Sequence, residues 1–150
     1  MGRWPAAAFR WELTPRIVSS VVGCGVLLPT FDPFRTGEIP LLEGARRAEA
    51  LGFDSAWVGD HLACPAPNLD GPTSLAVAAA VTTEIELGFS ILLLGMRKLA
   101  WTAKQLITLQ ALSAGRLSIG VGVGGEFPQE FAAAGVPVAG GPSSIRRCSC

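Results

Sequence analysis

The only histidine of the chain, His61, directly follows Asp60 at the end of the run Ser-Ala-Trp-Val-Gly-Asp-His, residues 55–61. An imidazole titrates near neutral pH and a neighbouring carboxylate can orient it, so this pair has the groups needed to donate or accept a proton. The alternative is structural, with Asp60 capping a loop amide and His61 on the surface. The dipeptide alone favours this structural interpretation.

A second group of residues has the spacing of a phosphate-binding loop. Gly120, Gly122 and Gly125 form the pattern G-x-G-x-x-G, which in a small Rossmann-type NAD-binding protein lets a pyrophosphate approach the backbone. Here the pattern follows the fourth predicted strand instead of the first, and no acidic residue lies about 20 positions later. NAD binding is therefore the least favoured alternative, and we interpret the glycines as room for another ligand at a strand end.

Glu126 comes directly after these glycines. It is a candidate proton donor or substrate contact at the end of the fourth strand. The structural alternative is a glutamate in the first turn of a helix, where the helix dipole favours an acidic side chain.

Strand-like and helix-like segments alternate along the chain and must position these residues. Buried strands are predicted at 21–28, 53–58, 85–93 and 117–123, and helices at 39–51, 72–81, about 103–115 and 126–134. This alternation predicts right-handed βαβ units and a parallel sheet. Asp60 and His61 then lie at the carboxyl end of the second strand, where α/β folds bind their ligands.

The packing roles of several side chains also follow from the pattern. One face of the third helix is predicted from its spacing, and it consists of Ala103, Leu106, Ile107 and Ala111. Trp57 and Trp101 are expected in the core or between helices, because large aromatic side chains are usually buried there.

Composition excludes several classes of protein. The 150 residues carry no net formal charge and 49% of them are hydrophobic, as in a globular protein without a field that attracts nucleic acid or an anionic membrane. The longest apolar run, at 87–96, is too short to cross a bilayer. Cys148 and Cys150 have no histidine nearby and make a poor zinc site. We expect a cytoplasmic protein with a small-molecule substrate and without metal, nucleic acid or membrane as a partner.

Two stretches resemble a known family. Residues 52–61, Gly-Phe-Asp-Ser-Ala-Trp-Val-Gly-Asp-His, and 113–126, Ser-Ala-Gly-Arg-Leu-Ser-Ile-Gly-Val-Gly-Val-Gly-Gly-Glu, resemble the bacterial luciferase-like monooxygenase superfamily. The branch that uses the deazaflavin coenzyme F-420 is the most similar, and the resemblance covers about residues 22–139. It implies a (β/α)8 TIM barrel and an oxidoreductase that transfers a hydride or an oxygen atom with reduced F-420 or, alternatively, FMN.

The resemblance also implies roles for individual residues. His61 matches the position that acts in catalysis or lies against the cofactor ring, with Asp60 orienting it. Ser90 and Ile91 match a bulge whose non-proline cis peptide backs the deazaflavin, although an ordinary buried strand is an open alternative. Gly122, Val123 and Gly124 then form a pocket wall, and Glu126 matches an acidic position at the end of the fourth strand in several deazaflavin-dependent relatives.

Three further residues have assignments, of which that of Arg116 follows from the resemblance and those of Asp32 and Phe34 from their position in the chain. Arg116, which follows Gly115, is interpreted as structural and paired with a carboxylate at the rim of the barrel. Asp32 and Phe34, after the first strand, are candidates for lining the pocket.

The length of the chain limits the expected fold. A (β/α)8 barrel takes about 250 residues, whereas only four strands are predicted here. We expect a disordered or misannotated extension at 1–20, the amino-terminal half of a barrel at 21–139, and an irregular, truncated or frameshifted tail at 140–150. Such a fragment is expected to be inactive alone and to form a homo-oligomer or require a second half. The alternative function is a noncatalytic half-barrel that assembles with a partner.

Overall fold

In the computed structural model, residues 23–31 and 40–137 are described, and they form a parallel sheet with helices between successive strands. The strands are β1 (Gly25–Leu27), β2 (Ser55–Val58), β3 (Glu86–Leu93) and β4 (Leu117–Gly122). The helices are α1 (Leu41–Ala50), α2 (Gly71–Val81), α3 (Leu99–Leu112) and α4 (Pro128–Ala134), with one 3-10 turn at Leu94–Met96. The proposed extension and tail, with Cys148 and Cys150, lie outside these residues, as do Asp32 and Phe34.

The strands are hydrogen-bonded in the order β1-β2-β3-β4, all parallel. This sequential order confirms the predicted succession of βα units. It also argues against the NAD-binding alternative, because a doubly wound sheet reverses its strand order at the point where a dinucleotide binds. No helix in the described part of the chain is long and apolar enough to cross a membrane.

The hydrophobic core lies between the sheet and the helices. Side chains alternate along a strand, so every second residue of β2 and β3 faces α1 and α2. The most deeply buried apolar residues of this layer are Ala45, Ala56, Val58, Leu75, Ala78, Leu87, Phe89 and Leu92. The opposite face of the sheet, which is concave in a barrel, carries glycines and polar residues around the large side chain of Trp57, among them Gly25, Ser55, Glu86, Gly88 and Ser118.

Helix α1 begins and ends as its sequence predicts. Pro40 is the N-cap, and Ala45 and Ala48 are buried with Leu41 packed against them. Gly52 follows the helix with a φ of +78°, a conformation that favours glycine.

The predicted face of α3 is wrong. Its buried residues are Thr102 and Leu109, whereas Ala103, Ile107 and Ala111 are exposed. The helix is apolar on nearly every side, so hydrophobic spacing alone does not select the side that meets the sheet. Leu106 is the predicted residue that does pack against the core.

The two tryptophans differ in their surroundings. Trp57 is half-buried on the concave face, where its indole lies across Gly25 and Gly88 of the neighbouring strands. A Cβ at Gly88 would lie 2.3 Å from the ring, and the indole N–H donates to the Ser55 hydroxyl at 2.8 Å. Trp101 is 74% exposed, so its predicted burial is wrong.

Arg116 holds the amino-terminal end of the sheet. Its guanidinium donates to the carbonyls of Ser113, Ile85, Thr82 and Ala79 and to the Thr82 hydroxyl, at 2.8–3.4 Å. These hydrogen-bond partners are carbonyls and a hydroxyl instead of the predicted carboxylate, although the Arg116 charge does act on the nearby Glu49 carboxylate. The structural role agrees with the position of Arg116 immediately before β4, at the end of the sheet opposite to Asp60 and His61.

Glu49 holds a loop at the same end. One of its carboxylate oxygens accepts hydrogen bonds from the backbone N–H groups of Thr83, Glu84 and Ile85 at 2.7, 2.7 and 3.1 Å. Burial acts to raise the pKa of Glu49, but these three bonds and the nearby Arg116 charge bring the pKa below its ordinary value. The carboxylate thus joins the last turn of α1 to the start of β3.

Candidate active site

The predicted site residues meet at the carboxyl ends of β2, β3 and β4. They surround an open cleft of about 520 Å³. Its lining includes Asp60, His61, Ser90, Ile91, Gly122, Val123, Gly124 and Glu126. The parallel sheet explains this convergence, because the carboxyl ends of all its strands lie along one edge.

The carboxylate of Asp60 does not orient His61, so that prediction is wrong. Asp60 is 4% exposed and accepts a hydrogen bond from the backbone N–H of Leu93 at 2.9 Å. The Arg97 guanidinium binds the same carboxylate, with Nε at 3.1 Å and Nη2 on the other oxygen. A buried carboxylate needs such partners, and here they join the end of β2 to the end of β3.

His61 is instead held by residues distant in sequence. Its Nδ1 lies 3.2 Å from Oε1 of Glu130. Phe31 and Phe127 approach the imidazole edge-on, with ring centroids at 5.6 and 5.3 Å. The ring is therefore fixed by one polar and two aromatic contacts.

Glu130 is the functional residue that sequence reasoning missed. It is 1% exposed and lies in the first turn of α4. Besides contacting His61, its Oε1 accepts hydrogen bonds from the backbone N–H groups of Leu62 at 2.7 Å and Ala63 at 3.2 Å. The available signal was an acidic residue just after the start of a predicted helix, a pattern typical of exposed helix ends as well.

The bulge predicted in β3 is confirmed. The peptide between Ser90 and Ile91 is cis, and the pairing of β3 with β4 shifts between Phe89 and Leu92. Ser90 and Ile91 are both exposed toward the cleft instead of being buried in a regular strand.

The glycines of β4 make room for this bulge. A Cβ at Gly122 would lie 1.8 Å from Cδ1 of Ile91, and one at Gly120 would lie 2.7 Å from the Phe89 carbonyl oxygen. Gly124 has a φ of +78°, and a Cβ there would meet the Met96 methyl at 2.3 Å. These glycines are thus needed for close packing at the strand ends.

Glu126 lies on the wall of the cleft and is exposed. Because α4 begins at Pro128, Glu126 precedes the helix and is not part of its first turn. The structural alternative for Glu126 is therefore wrong, and the acidic residue of that turn is Glu130.

Consecutive βα units with polar side chains at the carboxyl ends of parallel strands define the class as a (β/α)-barrel type of protein. The family follows from comparison with known proteins. Residues 24–143 match the model of the luciferase-like monooxygenase family, and the chain belongs to that family.

Individual relatives agree with this assignment. The F-420-dependent glucose-6-phosphate dehydrogenase of Amycolatopsis mediterranei is 39% identical over 105 residues, which cover 66% of this chain and 31% of that enzyme. The chain spans less than half the length of the curated relatives it matches, for example 44% in one case and 23% in another.

Solved structures show the same fold. The F-420-dependent tetrahydromethanopterin reductase of Methanopyrus kandleri has a TM-score of 0.60 and 31% identity, covering 78% of this chain and 31% of its own. The oxygenating constituent of 3,6-diketocamphane monooxygenase from Pseudomonas putida, solved with FMN, has a TM-score of 0.66 and 25% identity, covering 77% and 33%. The predicted fold, a TIM-barrel type limited to four βα units, is thus confirmed for the described residues.

Proposed function

We propose that this chain carries the ring-binding and proton-handling part of an oxidoreductase site that uses coenzyme F-420, with FMN as the alternative. The observation that carries the proposal is the convergence of the exposed Ser90-Ile91 cis peptide, His61 and Glu126 on one cleft. Relatives and structural neighbours named for F-420 and for FMN support both cofactors.

The cleft suits a flat, partly apolar ligand. Its volume of about 520 Å³ lies within the usual range for small-molecule sites, about 300 to 1,000 Å³. Ile91 and Val123 are 43% and 64% exposed and supply apolar surface, while His61 and Glu126 supply polar groups at the edge. Because Gly122 and Gly124 have no side chains, Ile91 and Met96 pack directly against the backbone of this wall.

Each residue has a proposed role in this site. Ser90 and Ile91 back the ring, and Gly122, Val123 and Gly124 form the adjoining wall. A reduced deazaflavin or flavin, when bound, supplies the hydride or activates oxygen. His61 accepts or donates the accompanying proton, and Glu126 contacts a small-molecule substrate or acts as a second proton donor.

We further propose that the 150-residue chain has no turnover alone. TIM barrels commonly bind phosphate with loops that follow the seventh and eighth strands, and the described residues form four strands. The apolar surface of Val123 also remains exposed at the cleft. A cytoplasmic location stays a prediction from the sequence.

The proposal is tested by completing the barrel with a relative. Residues 23–137 would replace the matching segment of the Amycolatopsis mediterranei dehydrogenase, and F-420 and FMN binding would be measured by fluorescence titration. We expect the chimera to bind F-420 and to reduce it with a hydride from glucose 6-phosphate, the substrate in the relative's name, and His61→Ala to lower kcat at least 100-fold. A folded chimera that binds neither cofactor, or full activity of the His61→Ala variant, would contradict the proposal.

A matched pair of glycine variants tests the cleft itself. Gly122→Ala forces Ile91 to move, because the new Cβ would overlap its Cδ1, and we expect cofactor affinity to fall at least tenfold. Gly23→Ala is the control, since a Cβ there meets only ordinary contacts at 3.7 Å or more. Equal cofactor affinities in the two variants would contradict binding of the cofactor ring beside Ile91.

A noncatalytic half-barrel is the second candidate function, and one observation favours it. An apolar groove of about 330 Å³ runs between β1 and α1, lined by Val26, Leu28, Ala48, Leu51 and Phe53 among others. At the other edge of the sheet Ile119 and Val121 are exposed. If the partner is a second copy, this candidate predicts a dimer or larger oligomer of the isolated chain in light scattering, and a stable monomer would contradict self-association.

A further inference from the structure

We infer that Glu130 is a positioning residue that fixes the tautomer of His61, with the proton on Nδ1 and Nε2 left as the reactive ring nitrogen. The catalytic meaning of this inference rests on the proposed function, in which His61 transfers a proton. The tautomer itself is a property of the protein without its cofactor. It follows from the hydrogen bonds that Glu130 makes.

The first step concerns the Glu130 oxygen. Oε1 accepts from the backbone N–H groups of Leu62 and Ala63, at 2.7 and 3.2 Å. Backbone N–H groups are donors in every protonation state, so this oxygen must serve as an acceptor. A protonated Oε1 would be a poor acceptor for two such donors.

The second step concerns the imidazole. Nδ1 of His61 lies 3.2 Å from the same oxygen. If Nδ1 carried a lone pair, it would face another acceptor at hydrogen-bond distance, and that acceptor belongs to a Glu130 side chain that is only 1% exposed. The favourable arrangement places the hydrogen on Nδ1. In the neutral ring the lone pair is then on Nε2, which has no hydrogen-bond partner among residues 23–31 and 40–137.

The third step concerns rigidity. Phe31 and Phe127 contact the imidazole edge-on. Phe31 lies in the loop after β1, and Phe127 directly precedes α4. Glu130 belongs to the first turn of that helix, so one helix end supplies both an aromatic and a carboxylate contact. The ring therefore keeps Nδ1 toward Glu130, and a proton is taken up or released at Nε2.

A merely structural Glu130 would cap the turn after β2 without determining where the imidazole hydrogen resides. The two interpretations differ in a spectroscopic observable. Because His61 is the only histidine, both ring signals in a ¹⁵N-histidine-labelled sample belong to it.

The experiment is ¹⁵N NMR of the labelled 150-residue chain under conditions in which the imidazole is neutral. The two nitrogens are assigned from their couplings to the ring carbon-bound hydrogens. We expect a protonated, pyrrole-type signal for Nδ1 and an unprotonated, pyridine-type signal for Nε2. The reverse assignment in the wild-type chain would overturn the inference without any variant.

Variants separate position from charge. Glu130→Ala removes the acceptor, and we expect the Nε2–H form to become the major tautomer. Glu130→Gln keeps an amide oxygen that Leu62 and Ala63 can hold in place, so the Nδ1–H form should be restored. Glu126→Ala is the control, because this carboxylate lines the same cleft without a hydrogen bond to His61. An unchanged tautomer in a folded Glu130→Ala chain would overturn the inference.

This test fails separately from that of the proposed function. A chain with the Nδ1–H tautomer whose chimera binds neither cofactor would refute the proposed function and leave the role of Glu130 intact. A chimera that turns over F-420 while His61 carries its hydrogen on Nε2 would do the opposite.

Discussion

At each end of the sheet, a glutamate carboxylate accepts hydrogen bonds from consecutive backbone N–H groups, but the two carboxylates have different roles. At the amino-terminal end, Glu49 accepts hydrogen bonds from the three consecutive backbone N–H groups that directly precede β3. At the carboxyl end, Glu130 accepts from two consecutive N–H groups after β2 and also contacts the His61 ring. A carboxylate that fixes a loop becomes part of a reactive site when that loop carries an imidazole.

The surroundings of the two carboxylates also differ, because Glu49 faces other protein groups and Glu130 lies beside an open cleft. Glu49 lies near Arg116, whose hydrogen bonds hold the carbonyls of the adjoining loops. Beside Glu130 lies an open cleft with exposed Ile91. Polar groups at the amino-terminal end are thus occupied by other protein groups, whereas the carboxyl end retains groups available to a ligand.

The largest effect on stability is expected from Arg116→Met at the amino-terminal end. The change removes five hydrogen bonds, including those to the carbonyls of Thr82 and Ile85, and we expect it to lower the free energy of unfolding by about 3 kcal/mol. Urea denaturation followed by circular dichroism measures it. Arg46→Met, at an exposed position of α1, is the control with an expected change below about 0.5 kcal/mol. Equal stability losses in the Arg116→Met and Arg46→Met variants would contradict the structural role of Arg116 at this end of the sheet.

An intermediate effect is expected from Asp60→Asn at the carboxyl end. Neutralising this buried carboxylate leaves Arg97 without its closest counter-charge, and we expect a loss of about 2 kcal/mol in the same measurement. Asp70→Asn is the matched control, since Asp70 is half-exposed and 3.7 Å from Arg97, and asparagine caps a helix equally well. A stability loss no greater than that of the control would contradict the structural role of the Asp60–Arg97 pair.

The smallest effect is expected from the pH dependence of Glu49. Its pKa is lower in the folded chain than in the unfolded chain, so its contribution to stability is present above the unfolded pKa, about 4.3, and is lost as pH falls through the folded value. The stability difference between wild type and Glu49→Gln should therefore be constant above about pH 5.5 and shrink below pH 4. Denaturation midpoints between pH 3 and 7 measure it. A difference that grows on acidification would contradict the assigned direction.

The sequence could predict features that depend on local pattern or on the family resemblance. Strand and helix order follows from alternating periods, and the position of the Ser90-Ile91 bulge follows from the resemblance. The partners of Asp60 could not be predicted, because Arg97 is 37 positions away and adjacency suggested His61 instead. Glu130 was missed because its burial depends on how the short helix α4 packs over the turn after β2.

The indole of Trp57 across Gly25 and Gly88 has a consequence for how the protein can change in evolution. Either glycine can gain a side chain only if the ring is first replaced by a smaller group, because a Cβ would overlap it at 2.7 Å or less. The order of substitutions at these three positions is therefore constrained. Gly88→Ala should destabilise the fold when Trp57 is present and be tolerated after Trp57→Leu. The effects of substitutions at these positions on three neighbouring strands are therefore not additive.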